Sequence, residues 1–211
     1  MTAAHVREAL ADVLAEMERE QAALDRLDAV VGDGDHGATM VMGLRAVAAG
    51  VAAKPGVTVA DVLRTAAHRF ASVGGSAGPL WGTALLRAAQ SVERADACDL
   101  RTMAAAAQAA AAGVAERGGC AVGEKTMLDV MAPAADALAA AAAAGATPAE
   151  AVRAARAAAS DGLERTRELE PRRGRARLAA GRSRGALDPG AASAEVVWRT
   201  AAAAYGRHAG G

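Results

Sequence analysis

Very few side chains in this sequence are large. Its 211 residues include one Phe, one Tyr and two Trp, although 53% are hydrophobic. A core must therefore be assembled from Ala, Leu, Val and Met. Small side chains fill space only where backbones approach closely, which suits packed helices. Periodicity agrees: residues 5–29 place Val6, Leu10, Val13, Leu14, Met17, Leu24 and Leu27 near helical spacing. Further helices are predicted at 38–53, 58–72, 80–94, 99–117 and 125–144, one opening at Thr147-Pro148, and a last from Asp188-Pro189-Gly190 to about 206. Thr58 followed by Asp61 fits a capping box. The alanine runs carry leucines, valines and charges at helical spacing, and Ala is the best helix former. No stretch alternates as a strand does. The expectation is one all-α domain of seven or eight helices, with conspicuous loops after the first, third and fifth and before the last.

Bulk properties narrow the function. The 24 basic and 24 acidic residues balance to a net charge of +0, which offers no electrostatic case for nucleic acid or a membrane surface. Two cysteines, Cys98 and Cys120, suggest neither a disulfide framework nor a metal cluster. The N-terminal segment carries acids and no apolar centre, unlike a signal peptide. No run approaches the roughly 18 to 20 apolar residues of a membrane span. A reducing cytoplasm is the expected location.

Between the first two predicted helices the chain reads Leu27-Asp28-Ala29-Val30-Val31-Gly32-Asp33-Gly34-Asp35-His36-Gly37. Asp28, Asp33 and Asp35 crowd together, a repulsive arrangement unless a cation neutralises it. Hard divalent ions such as Mg²⁺ take carboxylate oxygens together with substrate phosphates, and glycines permit tight turns and close approach of a ligand. The loop is expected to hold Mg²⁺ with a nucleotide; a solvated acidic turn is the simpler alternative. Gly32 to Gly37 formally matches G-x-G-x-x-G. A helix precedes it rather than a strand, however, and two aspartates would repel a diphosphate. An EF-hand fails as well, because the twelfth residue from Asp33 is Leu44 where that loop needs Glu.

Four segments in order, LDAVVGDGDHGATM from Leu27, GGSAGPLWGT from Gly74, GEKTMLDVMAP from Gly123 and GRARLAAGRSRGALDPG from Gly174, resemble the nucleotide-binding L subunit of dihydroxyacetone kinases. The resemblance spans roughly residues 24 to 200. It implies a closed barrel of about eight antiparallel helices whose loops hold ADP or ATP and two Mg²⁺ at one rim. It implies Asp28, Asp33 and Asp35 as metal ligands, with Asp33, Asp35 and His36 at the chemistry. His36, Gly37, Ala38 and Thr39 correspond to the segment touching the nucleotide phosphates. Ser76 and Ala77 lie in the glycine-rich turn facing the nucleotide, and Gly118 and Met127 line base and ribose. Arg175, thirteen residues before Asp188, matches a nucleotide-contacting arginine, and Asp188, Pro189 and Gly190 match a turn at the site. The sequence departs from the family around Arg175 and before Asp188. There Ala176-Arg177-Leu178-Ala179-Ala180 and Gly185-Ala186-Leu187 replace the usual Ala-Ser-Tyr-Leu-Gly and Gly-His-Gln.

The implied activity is phosphoryl transfer to a short keto-sugar held covalently on a separate K subunit. Phosphate would come either from a phosphohistidine carrier of the phosphotransferase system, which rephosphorylates bound ADP, or from exchangeable ATP. A nucleotide-sensing regulatory module and an idle all-α domain are the rival readings, and a homodimer is left open. Among single residues, Lys125 is expected either to reach phosphate as a point charge or to sit on the surface. Trp81 is expected to pack the helix after the glycine turn. His5, His68 and His208 are expected on the surface or at caps. The arginines of 172–184 are expected on a solvated face or at a partner's acidic surface.

Overall fold

The computed structural model of the protein describes residues 1–54, 58–93, 95, 97–173, 177 and 180–208. Among them are eight long helices and one single turn: α1 (Ala3–Val31), α2 (His36–Ala53), α3 (Val59–Ala71), α4 (Ala77–Ser91), α5 (Leu100–Gly118), α6 (Leu128–Ala143), α7 (Pro148–Arg165), the four-residue α8 (Ala180–Ser183) and α9 (Pro189–His208). No strand occurs among the described residues. Each long helix packs against its neighbours in the chain, and α9 returns to pack against α1. Connections are short except for residues 166–188 between α7 and α9, and packing of each helix on the next, with α9 on α1, closes the eight into a ring.

Small residues set the spacing of this ring. A Cβ on Gly82 of α4 would lie 2.7 Å from the Cβ of Ala71 on α3, and one on Gly162 of α7 only 2.3 Å from the carbonyl oxygen of Asp129 on α6. Gly43 of α2 leaves room for the Phe70 ring, which in turn tilts against Trp81 at 6.3 Å. Trp81 is buried, as expected of a packing residue. Where α9 meets α1, Arg199 reaches Glu16 at 2.7 Å and Glu20 at 3.1 Å while holding Glu195 of its own helix at 3.1 Å. At the end of the same seam the rings of His5 and His208 stack, centroids 4.0 Å apart.

Eight alanine-rich helices cannot close over their common axis. An apolar cavity of about 250 Å³ remains there, lined among others by Val6, Met40, Val59, Trp81, Met103, Leu138, Val152 and Trp198, one from each long helix.

Helix ends follow the local chemistry. Thr58, Asp99 and Thr147 each accept a hydrogen bond from the third residue of the helix they open, satisfying an amide the helix cannot. Two expectations change. Helix α6 begins at Leu128 rather than near 125, because Lys125 takes a left-handed φ of 60°. The arginine-rich connection also contains the turn α8, too short for any periodicity to announce.

Candidate functional site

Every long helix has one end at the rim where α1 stops. Asp28, in the last turn of α1, turns one carboxylate oxygen onto the loop that follows: Oδ2 accepts the amides of Gly34 at 2.9 Å and Asp35 at 3.2 Å. The fold of this loop requires glycines. Gly34 has φ +78°, and a Cβ on Gly32 would meet Asp28 Oδ1 at 2.5 Å. The loop thus doubles back on α1, and one carboxylate oxygen from each of Asp28, Asp33 and Asp35 lies within 4.8 Å of the others. Asp28 is half-buried and the other two are exposed. Three hard oxygen donors converging on an accessible point suit a Mg²⁺ ion that keeps room for water or phosphate.

Beside this cluster lies a cavity of about 420 Å³, within the roughly 300–1,000 Å³ of small-molecule sites. Asp28, Asp33, Asp35, His36 and Thr39 line it from the first loop, and Ser76 and Ala77 from the glycine turn. Gly118 and Met127, then Asp188, Pro189 and Gly190, complete the predicted residues on its wall. The N-termini of α2, α4, α6 and α9 therefore all open onto it. Asp35, Ser76 and Met127, the residues that begin α2, α4 and α6, give no side-chain cap, in contrast to the capped starts of α3, α5 and α7. Clustered amides and aligned helix dipoles favour an anion at this end. The far wall is apolar, with Pro79, Leu80 and Val114 joining Met127 and Gly118, a suitable surface for a flat base.

Gly37 and Ala38 do not line the cavity. They fasten the first turn of α2: the Ala38 amide donates to Asp25 Oδ1 at 3.1 Å, and a Cβ on Gly37 would lie 2.3 Å from the Gln21 carbonyl oxygen. Arg175 falls outside the described residues. Its neighbour Arg173 lines the cavity and pairs with Glu124 at 2.8 Å. Arg184 pairs with Glu170 at 3.2 Å, so part of the charge of this connection is satisfied within the chain.

Several contributors escape a reading of the sequence. His36 Nε2 lies 2.9 Å from the hydroxyl of Ser193, and that hydroxyl donates to the Gly190 carbonyl at 3.0 Å. A hydroxyl that donates to Gly190 is left to accept from His36, which ties α2 to the first turn of α9. Burial holds the His36 imidazole below its usual range, against the opposing pull of Asp28, Asp25 and Asp35. Ser193 carries no sequence signal, being 157 residues from its partner. Asp25 did carry one, since it lies three residues before Asp28 on the same helical face. Arg117 also lines the cavity.

Deeper in the wall, burial pushes the Asp188 carboxyl up to about 7, and its Oδ2 accepts the Ala191 amide at 2.7 Å. Lys125 matches neither expectation. It is 3% exposed, and its ammonium is occupied by the carbonyls of Thr166, Ser183 and Ala186 at 2.5, 3.0 and 2.8 Å. Both a solvated lysine and a phosphate-binding point charge are thereby replaced by an internal tether.

Known proteins resemble this chain in sequence and fold. The chain is 34% identical over 176 residues to a Listeria innocua protein named as the ADP-binding subunit of a PEP-dependent dihydroxyacetone kinase, covering 83% of each. It is 38% identical over 198 residues to a D-erythrulose kinase of Mycolicibacterium smegmatis, covering 92% of this chain and 34% of that one. A crystal structure of the dihydroxyacetone kinase from C. freundii, in complex with AMP-PNP and Mg²⁺, superposes with a TM-score of 0.71 at 26% identity; it covers 95% of this chain and 34% of that one. The chain therefore spans about a third of these two longer kinases. The family model of the DAK2 domain matches residues 30–203, and the chain belongs to that family.

Proposed function

We propose that this chain is the nucleotide-binding phosphotransferase subunit of a kinase for dihydroxyacetone or a similar short keto-sugar, its 211 residues forming one domain. The observation that carries the reading is the meeting, at one cavity, of three convergent carboxylates and three helix N-termini without their own side-chain caps. Such a site suits a polyphosphate whose charge is shared between amides and metal. Asp28, Asp33 and Asp35 would hold two Mg²⁺. His36 and Thr39, with Ser76 and Ala77, would face the phosphates of ADP or ATP; Gly118 and Met127 would line base and ribose. Asp188, Pro189 and Gly190 would close the rim together with Arg175, and Gly37 and Ala38 would shape the turn that presents His36. When bound, the metal neutralises charge on the transferring group. The chain's own contribution is positioning, which is most of what phosphoryl transfer asks of a protein.

The sugar would be carried by a separate K subunit; a relative that covers most of this chain and is named as the ADP-binding subunit of a kinase supports a division of labour of this kind. The name of that relative favours ADP that stays bound and is rephosphorylated by a phosphohistidine carrier; exchangeable ATP is the other route. Denaturing the purified protein and identifying released nucleotide by mass spectrometry separates them. Stoichiometric ADP supports the resident-nucleotide route, and an empty protein that binds Mg·ATP reversibly supports exchange. A protein that neither releases nor binds a nucleotide would sink the proposal.

A further inference from the structure

The connection from α7 to α9 delivers Asp188, Pro189 and Gly190 to the cavity, and among its described residues the only helix is the single turn α8. A segment with so little regular structure needs other anchors. Some are backbone bonds: the Arg172 amide donates to the Glu124 carbonyl at 3.1 Å and the Gly185 amide to that of Arg167 at 3.0 Å. The Thr166 hydroxyl accepts the Asp188 amide at 3.1 Å. The strongest is Lys125. Its three N–H groups meet three carbonyls that lie 41, 58 and 61 residues away in sequence: Thr166 after the end of α7, Ser183 at the end of α8 and Ala186 just before Asp188. An ammonium has three donors, and all of them are accounted for. The residue also adopts a left-handed backbone, φ 60°, which is unfavourable for a side chain with a Cβ and persists where surroundings over-determine it. Two residues later comes Met127, which packs beside Gly190 on the cavity wall; a Cβ on that glycine would lie 3.8 Å from the Cβ of Met127.

We propose that Lys125 is a positioning residue for the nucleotide. Its ammonium clamps the α7–α9 connection to the loop that ends at Met127, and so fixes the register in which Met127 and Asp188-Pro189-Gly190 meet to form one stretch of the cavity wall. This rests on the nucleotide reading above. The clamp is separate from the carboxylate cluster, which stands on α1 and its following loop. Loss of Lys125 therefore weakens nucleotide binding and leaves the binding of metal alone unchanged. A lysine needed only for the overall fold would move both together.

The test uses Lys125→Ala in the full chain, freed of nucleotide, with Mg·ADP titrated by calorimetry and Mn²⁺ alone by electron paramagnetic resonance. The expected result is a Mg·ADP dissociation constant raised about tenfold or more, the scale of losing charge-assisted hydrogen bonds, at unaltered Mn²⁺ affinity. Propylammonium, which replaces the deleted atoms beyond Cβ, should restore most of the affinity to this variant and do nothing for the wild type. Amides of residues 180–188 should exchange faster by about tenfold or more. Where Lys125→Ala does not fold, Lys125→Gln, which keeps an amide donor, is read by the same affinities and exchange. Nucleotide affinity within about twofold of the wild type overturns the proposal. So does joint loss of Mn²⁺ and nucleotide binding in a folded variant. Were the wild type itself to bind no Mg·ADP, the functional reading would fall, and the exchange rates alone would still decide whether Lys125 clamps this segment.

Discussion

At the scale of single residues, the site divides into groups whose neighbours in sequence announce them and groups whose partners are remote. Asp28, Asp33 and Asp35 belong to the first kind, because three carboxylates so close in sequence are costly on electrostatic grounds alone. Asp33→Ala or Asp35→Ala should weaken Mg²⁺-dependent ADP binding by about 100-fold or more, roughly 2.7 kcal/mol, while stabilising the metal-free protein slightly. Calorimetry giving wild-type affinity in either variant would refute the metal assignment. Lys125, Ser193 and the burial of Asp188 belong to the second kind. Their environments are assembled from segments up to 157 residues apart, and for want of them a one-dimensional reading leaves Lys125 either on the surface or reaching for phosphate. Asp188 also predicts a pH dependence. Its folded-state ionisation lies near 7, above the usual carboxyl range near 4. The protonated group is therefore compatible with the fold, and its stabilising contribution is complete below about pH 4 and lost as pH rises through about 7. Asp188→Asn removes that titration. In metal- and nucleotide-free urea unfolding, the stability difference between variant and wild type should shift in favour of the variant across this window. A difference constant from pH 4 to 8 would contradict the buried, protonatable Asp188.

At the scale of elements, the helices were legible because two signals coincide: an apolar stripe at helical spacing and a capping residue at its start. Thr58 with Asp61 forms the box that the sequence suggests, and Thr147 with Glu150 forms a second at the helix the sequence opens there. The missing caps at Asp35, Ser76 and Met127 mark the rim of the cavity, and sequence cannot show them at Asp35 and Ser76, whose residue types ordinarily cap a helix. What the pattern could not supply is how close the helices come, and glycine decides that. Gly162→Ala puts a Cβ against the Asp129 carbonyl oxygen at 2.3 Å, a contact that only separation of α6 from α7 relieves. A cost of about 1–3 kcal/mol is expected, as for other overpacked sites. Gly206, within α9, has nothing within 4 Å of its would-be Cβ, so Gly206→Ala should stabilise by about 0.4–1 kcal/mol through the unfolded chain. Chemical denaturation of both variants checks the pair. Equal effects of the same sign would mean that helix propensity, not the α6–α7 contact, governs Gly162.

At the scale of the whole molecule, the ring arrangement sorts chemistry by end. The starts of α3, α5 and α7 are capped at one rim and those of α2, α4 and α6 are open at the other, so phosphate-binding potential collects on a single face, next to the end of α1 that carries the carboxylates. The first consequence is thermodynamic: Mg²⁺ with ADP should raise the melting temperature more than either alone, by the equivalent of about 2.7 kcal/mol at a hundredfold excess over the dissociation constant, and EDTA should reverse most of it. The second concerns what this face lacks. A cavity of about 420 Å³ suffices for one nucleotide with its metal. The 211 residues contain no segment resembling the histidine-bearing sugar site of a K subunit. Phosphoryl transfer requires donor and acceptor to be held nearly in line, so the acceptor has to be presented at the open rim from outside the helical ring. The chain alone, given ATP, Mg²⁺ and dihydroxyacetone, should therefore form no sugar phosphate above background. Addition of a cognate K subunit, with a phosphohistidine donor or with ATP, should give turnover. Arg177 and Arg184 are both exposed and lie between α7 and α9, and their charge reversal should impair coupling to that partner more than it impairs ADP binding. Rapid sugar phosphorylation by the purified chain alone would overturn the subunit reading and require an acceptor site within the ring itself.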